Sequence, residues 1–330
     1  MIHASRWKNH FGLSLVSSLV SSLVSSLVSS LVSSLVSSLV SNSVLSLISL
    51  LIFTNSAHSE ITVVDDGAHT VRLTTAAKRV VSLAPHITEL LYAAGAGHTV
   101  VGVSAWSDYP AEAKKLPIVA DGNRLDLERI IDLQPDLVIA WKSGSNAHQI
   151  KRLKKLGLTI FESEPRSFND IAASIQRFAK LTGSSDGTHA AKMFRENHQR
   201  LKQRYAGKKT ISIFYQIWPS PLMTLNDKHL VTEIFQLCGA VNVFGKLTPL
   251  TPSVSAEAVA KANPDVILMT DTESSGLDRW RALPKLKATR FDNLFTIDGT
   301  LVNRAGPRVI EGAAQLCEKI ETARDHLHIR

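Results

Sequence analysis

The sequence predicts an α/β protein of two similar lobes, each with a parallel-type sheet flanked by helices, joined by one long α-helix with a ligand cleft between the lobes. Two observations carry this prediction: a long helical stretch in the middle of the chain, and a repeat on either side of it. The helix covers 186–206, where Phe194, Leu201 and Tyr205 recur at spacings of seven and four among charged residues. Gly207 stands where a left-handed C-cap belongs.

The internal repeat consists of two matched pairs of segments in the same order. Glu89–Ala96 answers Glu233–Ala240, with the same spacing from glutamate to glycine. Leu127–Ile139 answers Ala256–Leu268, with Glu, Pro and Asp at identical spacings. Each copy of the second pair predicts a short helix, a Pro-Asp turn and a strand without polar alternation, which is typical of a strand buried on both faces. Two such matches in one order predict two related lobes.

The chain therefore divides into four parts. We expect a leader over 1–59, an N-terminal lobe over 60–185, the connecting helix over 186–206 and a C-terminal lobe over 207–330. Strands alternate with helices in both lobes, which favours parallel sheets with right-handed crossovers. The predicted strands of the first lobe are Ile61–Val64, Thr70–Leu73, Val80–Leu83, Val100–Val103, Leu137–Ala140 and Thr159–Phe161, and those of the second are Thr210–Tyr215, Val266–Met269 and Leu294–Ile297. The predicted helices are Thr88–Ala94, Leu127–Leu133, His148–Leu156, Phe168–Leu181, Leu230–Leu237, Ala256–Ala262 and Arg308–Asp325.

The leader has the features of a secretory signal peptide. Arg6 and Lys8 give a positive start, Leu-Val-Ser-Ser recurs through 15–40, and Val44–Phe53 is apolar. Small residues before Glu60 predict cleavage near Ser59–Glu60 and hence an exported protein. The alternative is an uncleaved membrane anchor, because the segment exceeds the roughly 20 residues that a spanning helix needs.

Charge and cysteine content narrow the function classes. Of the 37 Lys and Arg residues two lie in the leader, which leaves 35 against 29 Asp and Glu, a scattered surplus that does not indicate nucleic-acid binding. Cys238 and Cys317 each follow an apolar helical stretch in the second lobe. In an exported protein an even count favours a disulfide, and two buried free thiols are the alternative.

The ligand site is predicted at the carboxyl ends of the strands, where open α/β sheets bind their ligands. Three of the four tryptophans after the leader fall at strand ends, whereas core packing would place them inside strands. Aromatic residues on both sides of a cleft suit a large, flat, partly apolar ligand. The residues at these ends and in the late loop are Pro85, His86, Trp106, Asp108, Tyr109, Trp141, Trp218 and Arg304.

The chain after the leader resembles the periplasmic substrate-binding proteins of ABC importers, in the class with a single rigid connecting helix, and within it the cobalamin-binding branch. The resemblance lies in RVVSLAPHITELLYAAGAG at 79–97, VVGVSAWSDYP at 100–110, LERIIDLQPDLVIAW at 127–141, the cysteine pair and RAGPRVIEGAAQLC at 304–317. It implies that Trp106 and Trp141 flank the corrin, and that Arg304 bonds the amide or phosphate side of the ligand. It also implies that Glu128 and Glu257, one per lobe, contact arginines of the permease; simple helix capping is the alternative role.

The sequence departs from the cobalamin branch at three positions. Gly122 and Thr251 stand where aromatic residues occur, and Thr300 stands where Asp occurs. Tyr215, Trp218 and Met223 are expected to supply apolar surface instead. The expected cargo is cobalamin or a related corrinoid, and the departures leave a cobinamide, another corrinoid or a different macrocycle as alternatives.

Other functions remain as alternatives. Haem would need an axial ligand such as His86 or Tyr109, and ferric siderophores usually need more converging basic residues than Arg304 alone. The sequence contains no Gly-x-Ser-x-Gly, P-loop, Gly-x-Gly-x-x-Gly or Cys-x-x-Cys motif, so an enzyme is not expected. Nor do we expect a resident cofactor or structural metal, since no Cys/His cluster occurs. A monomer is expected.

Overall fold

The computed structural model describes residues 21–35, 60–122, 124–270 and 274–329. The chain divides into two compact units, Met1–His58 and Ser59–Arg330. In the first unit, residues 21–35 form an exposed helix, α1; the predicted apolar region and cleavage site lie outside the described residues. Within the described ranges, we find no helix with both the length and the apolar character that crossing a membrane requires.

The N-terminal lobe contains a six-stranded sheet in the order β6-β5-β4-β3-β7-β8, in which β5 and β6 are antiparallel and the other neighbours are parallel. A separate antiparallel hairpin, β1–β2, precedes it. The strands are β1 Ile61–Val64, β2 Thr70–Leu73, β3 Val80–Ser82, β4 Val100–Ser104, β5 Ile118–Asp121, β6 Arg124–Leu125, β7 Leu137–Trp141 and β8 Ile160–Ser163. The helices are α2 Pro85–Ala93, α3 Leu127–Asp132, α4 Ala147–Lys155 and α5 Phe168–Thr182.

The C-terminal lobe contains a four-stranded parallel sheet in the order β12-β9-β13-β14, together with the small hairpin β10–β11. The strands are β9 Ile211–Gln216, β10 Trp218–Pro219, β11 Leu222–Met223, β12 Ala240–Asn242, β13 Val266–Thr270 and β14 Leu294–Ile297. The helices are α7 Leu230–Leu237, α8 Ala256–Ala262, α9 Asp278–Arg281, α10 Lys287–Arg290, α11 Gly299–Val302 and α12 Val309–Ile329.

The internal repeat is visible in the local geometry of both lobes. Asp136 accepts the backbone N–H of Lys78 and of Arg79, just before β3, and Asp265 accepts that of Ser212 in β9. Each Pro-Asp aspartate therefore ties its own strand to the central neighbouring strand. Gly95 and Gly239, at the ends of α2 and α7, have φ of +75° and +71°, a conformation that favours glycine. The repeated spacings fix equivalent turns.

The long helix between the two lobes, α6, covers Gly187–Tyr205. Its apolar residues Ala191 and Phe194 are buried in a core that also includes residues of both sheets. Asp186 precedes the helix, but its side chain does not cap it. Gly207 follows with φ of +71°, as the sequence predicts. A shared core of this kind resists large changes in the separation of the lobes.

The disulfide is confirmed: Cys238, directly after α7, is bonded to Cys317 in α12. Both residues are fully buried. The bond therefore holds two helices of the C-terminal lobe together.

Several element boundaries differ from the sequence prediction. Helix α2 begins at Pro85 rather than Thr88, because proline is well suited to the first helical position, where no N–H partner is needed. Thus Pro85 and His86 lie in the first turn of a helix and not in a loop. The short strands β5, β6 and β12 were not predicted, and Trp218 lies in the hairpin β10–β11. Strands of two to four residues carry too few side chains for a recognisable pattern.

Candidate functional site

A cavity of about 300 Å³ lies between the lobes at the carboxyl ends of the central strands. From the N-terminal lobe it is lined by Pro85, His86 and Trp141, and from the C-terminal lobe by Asn303 and Arg304, among others. We call it the cleft cavity. Four of the predicted ligand-binding residues are therefore brought together here although they are far apart in the sequence.

His86 is held at the floor of the cleft cavity by the first turn of α2. It is 6% exposed, and its ring meets Trp141 edge-on, with 5.5 Å between centroids. The Nε2 atom has no hydrogen-bond partner. Burial, reinforced by the charge of Arg304, lowers the pKa of His86 to about 4, so its imidazole is neutral at physiological pH.

Trp141 is the last residue of β7 and stands at the wall of the cleft cavity. Its indole lies directly against Gly144, at a position where a Cβ would collide with the ring. The ring is 41% exposed. The turn after β7 therefore needs this glycine to let an aromatic face point into the cleft.

Trp106 is the most exposed aromatic residue of the predicted site, at 76%. Its φ of +67° is unfavourable for a bulky side chain and is a feature often found at functional positions. A chain of buried hydroxyls holds the loop below it: Thr88 donates to Ser107, and Ser107 also bonds Ser104 at 3.1 Å. The loop is thus fixed by polar contacts while its indole faces solvent.

Arg304 crosses from the C-terminal lobe to three partners in the other lobe. Its Nη1 donates to Asp108 at 2.6 Å and to Glu89 at 3.2 Å, and its Nη2 donates to the carbonyl oxygen of Trp106 at 3.1 Å. Partial burial alone would raise the pKa of Asp108, but the hydrogen bond and charge of Arg304 hold it below its usual value. The two predicted site residues Arg304 and Asp108 are therefore bonded to each other across the lobes.

Tyr109 lies on the other side of this contact. The guanidinium carbon of Arg308 is 4.2 Å from the centre of its ring, a cation–π geometry. Tyr109 and Arg308 line a second cavity of about 920 Å³ beside the connecting helix. The structure therefore separates Tyr109 from the cleft cavity that holds His86 and Trp141.

Tyr215 and Trp218 do not line the cleft cavity. Tyr215 is fully buried, packs edge-on against Phe235 and donates its hydroxyl to Asn303, so it supports the cavity wall rather than offering apolar surface to a ligand. Trp218 is 52% exposed, and its indole N–H is bonded to the carbonyl oxygen of Ser220. Met223 is half-buried in β11.

The three positions that depart from the cobalamin pattern have ordinary local roles. Gly122 has φ of +52° with open space around it, and Thr251 is exposed. Thr300 donates its hydroxyl to Asp298 at the start of α11.

Glu128 and Glu257 occupy equivalent, exposed positions in the first turns of α3 and α8. The N-caps of these helices are the side chains of Asp126 and Ser255. The backbone N–H of Glu257 itself, followed by the Ser255 hydroxyl, lowers the pKa of Glu257. Since other residues cap both helices, the two carboxylates remain available to a partner.

Among the described residues, one group has donor atoms close enough for a metal ion: Asp65, His69 and Glu162. Asp65 already accepts backbone N–H groups of Gly67, His69 and Glu162, and Lys154 is paired with Glu162. These bonds account for the cluster as the contact between the turn of the β1–β2 hairpin and strand β8.

Sequence reasoning missed two charged residues of the site, Glu89 and Arg308. Glu89 has a side chain only 1% exposed and holds Arg304 and Arg308 together. A signal was present, because Glu89 is a charged residue within an otherwise apolar helix, where burial requires a partner.

Comparison with known proteins then decides the family. The model of a family described as periplasmic binding protein matches residues 80–300. This chain belongs to the periplasmic binding protein family. The vitamin B12-binding protein of Vibrio cholerae is 36% identical over 249 residues, which cover 75% of this chain and 90% of that protein. The vitamin B12-binding protein of Yersinia pestis is 38% identical over 248 residues, covering 74% and 87%.

Solved structures agree with this assignment. The crystal structure of the periplasmic vitamin B12 binding protein of Vibrio cholerae matches this periplasmic binding protein with a TM-score of 0.70 and 35% identity, over 75% of this chain and 98% of that one. A periplasmic haem-binding protein from Roseiflexus matches with a TM-score of 0.67 at 23% identity, over 74% and 99%, which shows a shared fold alone.

Proposed function

We propose that the protein captures cobalamin or a related corrinoid in the cleft between its lobes and delivers it to an ABC importer. The observation that carries this proposal is the convergence of His86, Trp141 and Arg304 on one cavity, with Trp106 exposed beside it. The sequence relationship to proteins named for vitamin B12 binding supports the same cargo. It acts as a binding protein rather than as an enzyme.

The chemistry of the cleft suits a flat macrocycle with polar arms. The indoles of Trp106 and Trp141 offer apolar faces, and Arg304 offers planar N–H donors for amide or phosphate oxygens. The cleft cavity, at about 300 Å³, is smaller than a corrinoid. We therefore expect the macrocycle to cover the aromatic faces at the mouth of the cleft while its side chains reach inwards.

The direct test is a calorimetric titration of the protein lacking its leader with cyanocobalamin, with cobinamide and haem titrated in parallel. One-to-one binding at or below micromolar, with quenching of tryptophan fluorescence, is the expected result. Tight binding of haem with no heat from either corrinoid would overturn the cargo assignment and leave the transport function in place.

Haem is a second candidate because of one observation. The Nε2 atom of His86 is buried and without a hydrogen-bond partner, its imidazole is neutral at neutral pH, and neutral imidazole is a ligand for iron. If His86 binds haem iron, the Soret band of the complex should shift in His86→Ala. An identical spectrum in that variant would remove this candidate. Ferric siderophores are less favoured, since two of the three Lys and Arg residues that line the cleft cavity already face carboxylates. Arg304 is paired with Glu89 and Asp108, and Arg166 lies 3.7 Å from Glu164, whereas Lys228 is the third.

We further propose that Glu128 and Glu257 contact arginines of the permease, one from each lobe. Their equivalent, exposed positions support this, and a carboxylate forms strong charge-assisted pairs with arginine. The double variant Glu128→Ala/Glu257→Ala should abolish uptake by cells while leaving corrinoid affinity unchanged. Normal uptake by the double variant would contradict the docking role.

The protein is proposed to act as a periplasmic monomer after removal of its leader near Ser59–Glu60. Sequencing the N-terminus of the exported protein tests the cleavage site, and a start at Met1 would favour the anchor alternative. Light scattering of the purified protein tests the monomer.

A further inference from the structure

Four strands of each sheet follow the same order, and the helices that connect them occupy matching places in the two lobes. The order β4-β3-β7-β8 in the first lobe corresponds to β12-β9-β13-β14 in the second. Helix α2 lies between β3 and β4, as α7 lies between β9 and β12. Likewise α5 follows the edge strand β8, as α12 follows β14. Each lobe therefore has a first helix, α2 or α7, and a last helix, α5 or α12.

The first helix of the N-terminal lobe contacts the start of the last helix of the other lobe. Glu89 in α2 accepts two bonds from Arg308, at 2.6 and 3.0 Å, and Arg308 directly precedes α12. The carboxylate lies so close to Gly306 that a Cβ there would be 3.0 Å from Oε2. A buried carboxylate thus fixes the segment that leads into α12.

The equivalent contact extends from the first helix of the C-terminal lobe to the last helix of the N-terminal lobe. Glu233 in α7, at the repeat position that corresponds to Glu89, accepts the backbone N–H of Phe168 at 3.3 Å. Phe168 is the first residue of α5, and its ring stacks on His198 of the connecting helix at 4.2 Å. A carboxylate at this place satisfies a free helix N–H and interacts favourably with the helix dipole.

We infer that Glu89 and Glu233 are a symmetric pair of lobe-positioning residues: each extends from the first helix of its own lobe to hold the start of the last helix of the other lobe. The internal repeat supplies both contacts from one ancestral helix position. They hold the lobes together in addition to the connecting helix and the bonds from Arg304 to Asp108 and Trp106, so the repeat helps to set the width of the cleft. This inference goes beyond the proposed function, because it requires no ligand.

The contact has a consequence for the cleft, and this part rests on the proposed function. Glu89 also accepts a bond from Arg304, which lines the cleft cavity. Glu89 therefore determines where the guanidinium of Arg304 stands when a ligand arrives. Glu233 has no such link to Arg304, so the two glutamates differ in their effect on binding.

Hydrogen exchange of the ligand-free protein tests the pair. Glu233→Met should raise amide exchange at Phe168 about tenfold, the loss expected for one bond to a charged acceptor. Glu89→Gln should raise exchange over 304–309. The control is Glu196→Gln, which removes an exposed carboxylate of the connecting helix and should leave both segments unchanged. Faster exchange confined to α2 or α7 themselves would show a role within one lobe and overturn the inference.

Spin labels give an independent readout. With Lys151→Cys and Lys285→Cys labelled, one exposed site in each lobe, both glutamate variants should broaden the distance distribution relative to the Glu196→Gln control. If Glu89→Gln does not fold, Arg308→Met removes the other half of the same contact. Unchanged distances in all variants would overturn the inference. Failure of the unsubstituted protein to bind cyanocobalamin, together with altered distances in the variants, would refute only the proposed cargo.

Discussion

Replacing Trp106 by alanine should weaken corrinoid binding about thirtyfold. A tryptophan side chain offers roughly 200 Å² of contact area, and Trp106 is 76% exposed in the free protein. A flat ligand that covers one face would bury about 80 Å² of it, worth about 2 kcal/mol at roughly 25 cal/mol per Å². Since about 1.4 kcal/mol is a factor of ten, the dissociation constant should rise about thirtyfold.

Isothermal titration with cyanocobalamin measures this loss directly. Trp106→Phe keeps an aromatic face and should lose only about threefold, since roughly a third of the covered area disappears. Leu156→Ala is the matched control, because Leu156 is 54% exposed and lies after α4, outside the residues that line the cleft cavity. Equal affinities of the wild-type protein and Trp106→Ala would refute the assignment of this indole to the ligand.

Three further predictions concern stability. The free energy of unfolding of Trp106→Gly should be about 1 kcal/mol higher than that of Trp106→Ala, because the φ of +67° at position 106 is costly for any residue with a Cβ. Urea unfolding of the two variants measures the difference. Loss of the disulfide in Cys238→Ala/Cys317→Ala, which closes a loop across 79 residues, should cost about 4.5 kcal/mol in guanidinium unfolding; a loss under about 2 kcal/mol would contradict the loop-entropy argument. Burial lowers the pKa of His86 from 6.5 to about 4, and it does the same for His229, whose Nδ1 accepts the backbone N–H of Val231 at the start of α7. The unfolded chain therefore binds more protons between these values, and stability should fall as pH drops from 6.5 to 4, by at most about 3 kcal/mol for each histidine. Thermal melts across this range should show a smaller fall in His229→Asn, and an unchanged slope would count against burial of the neutral ring.

Much of the fold could be predicted because the signals are local and repeated. The Pro-Asp turn and the glycine after Glu89 and Glu233 recur with fixed spacing, and each forms the same hydrogen bonds or left-handed turn in both lobes. The connecting helix, Gly187–Tyr205, lies within one residue of its predicted bounds at each end. Helical periodicity over about five turns is a strong pattern, whereas edge strands such as β6, Arg124–Leu125, are stabilised by a neighbouring strand that the local sequence does not reveal.

The site was predicted less completely. Pro85, His86 and Trp141, singled out because they follow strands, line one cavity, since carboxyl ends of parallel strands meet at one edge of a sheet. Tyr215 also lies near the carboxyl end of a strand, β9, yet its side chain is buried in the core. Alternate residues of a strand face opposite sides, and a strand buried on both sides gives no polar pattern to tell them apart.

By itself, the sequence determined the two-lobe architecture, the disulfide and the aromatic residues of the cleft, because each depends on residue types at fixed spacings. Only the tertiary structure decided what Arg304 does in the free protein. It is bound to Glu89 and Asp108, 215 and 196 residues away along the chain. Which charges meet across two lobes depends on how the sheets and the connecting helix are packed, and a buried carboxylate such as Glu89 finds its partners only in that packing.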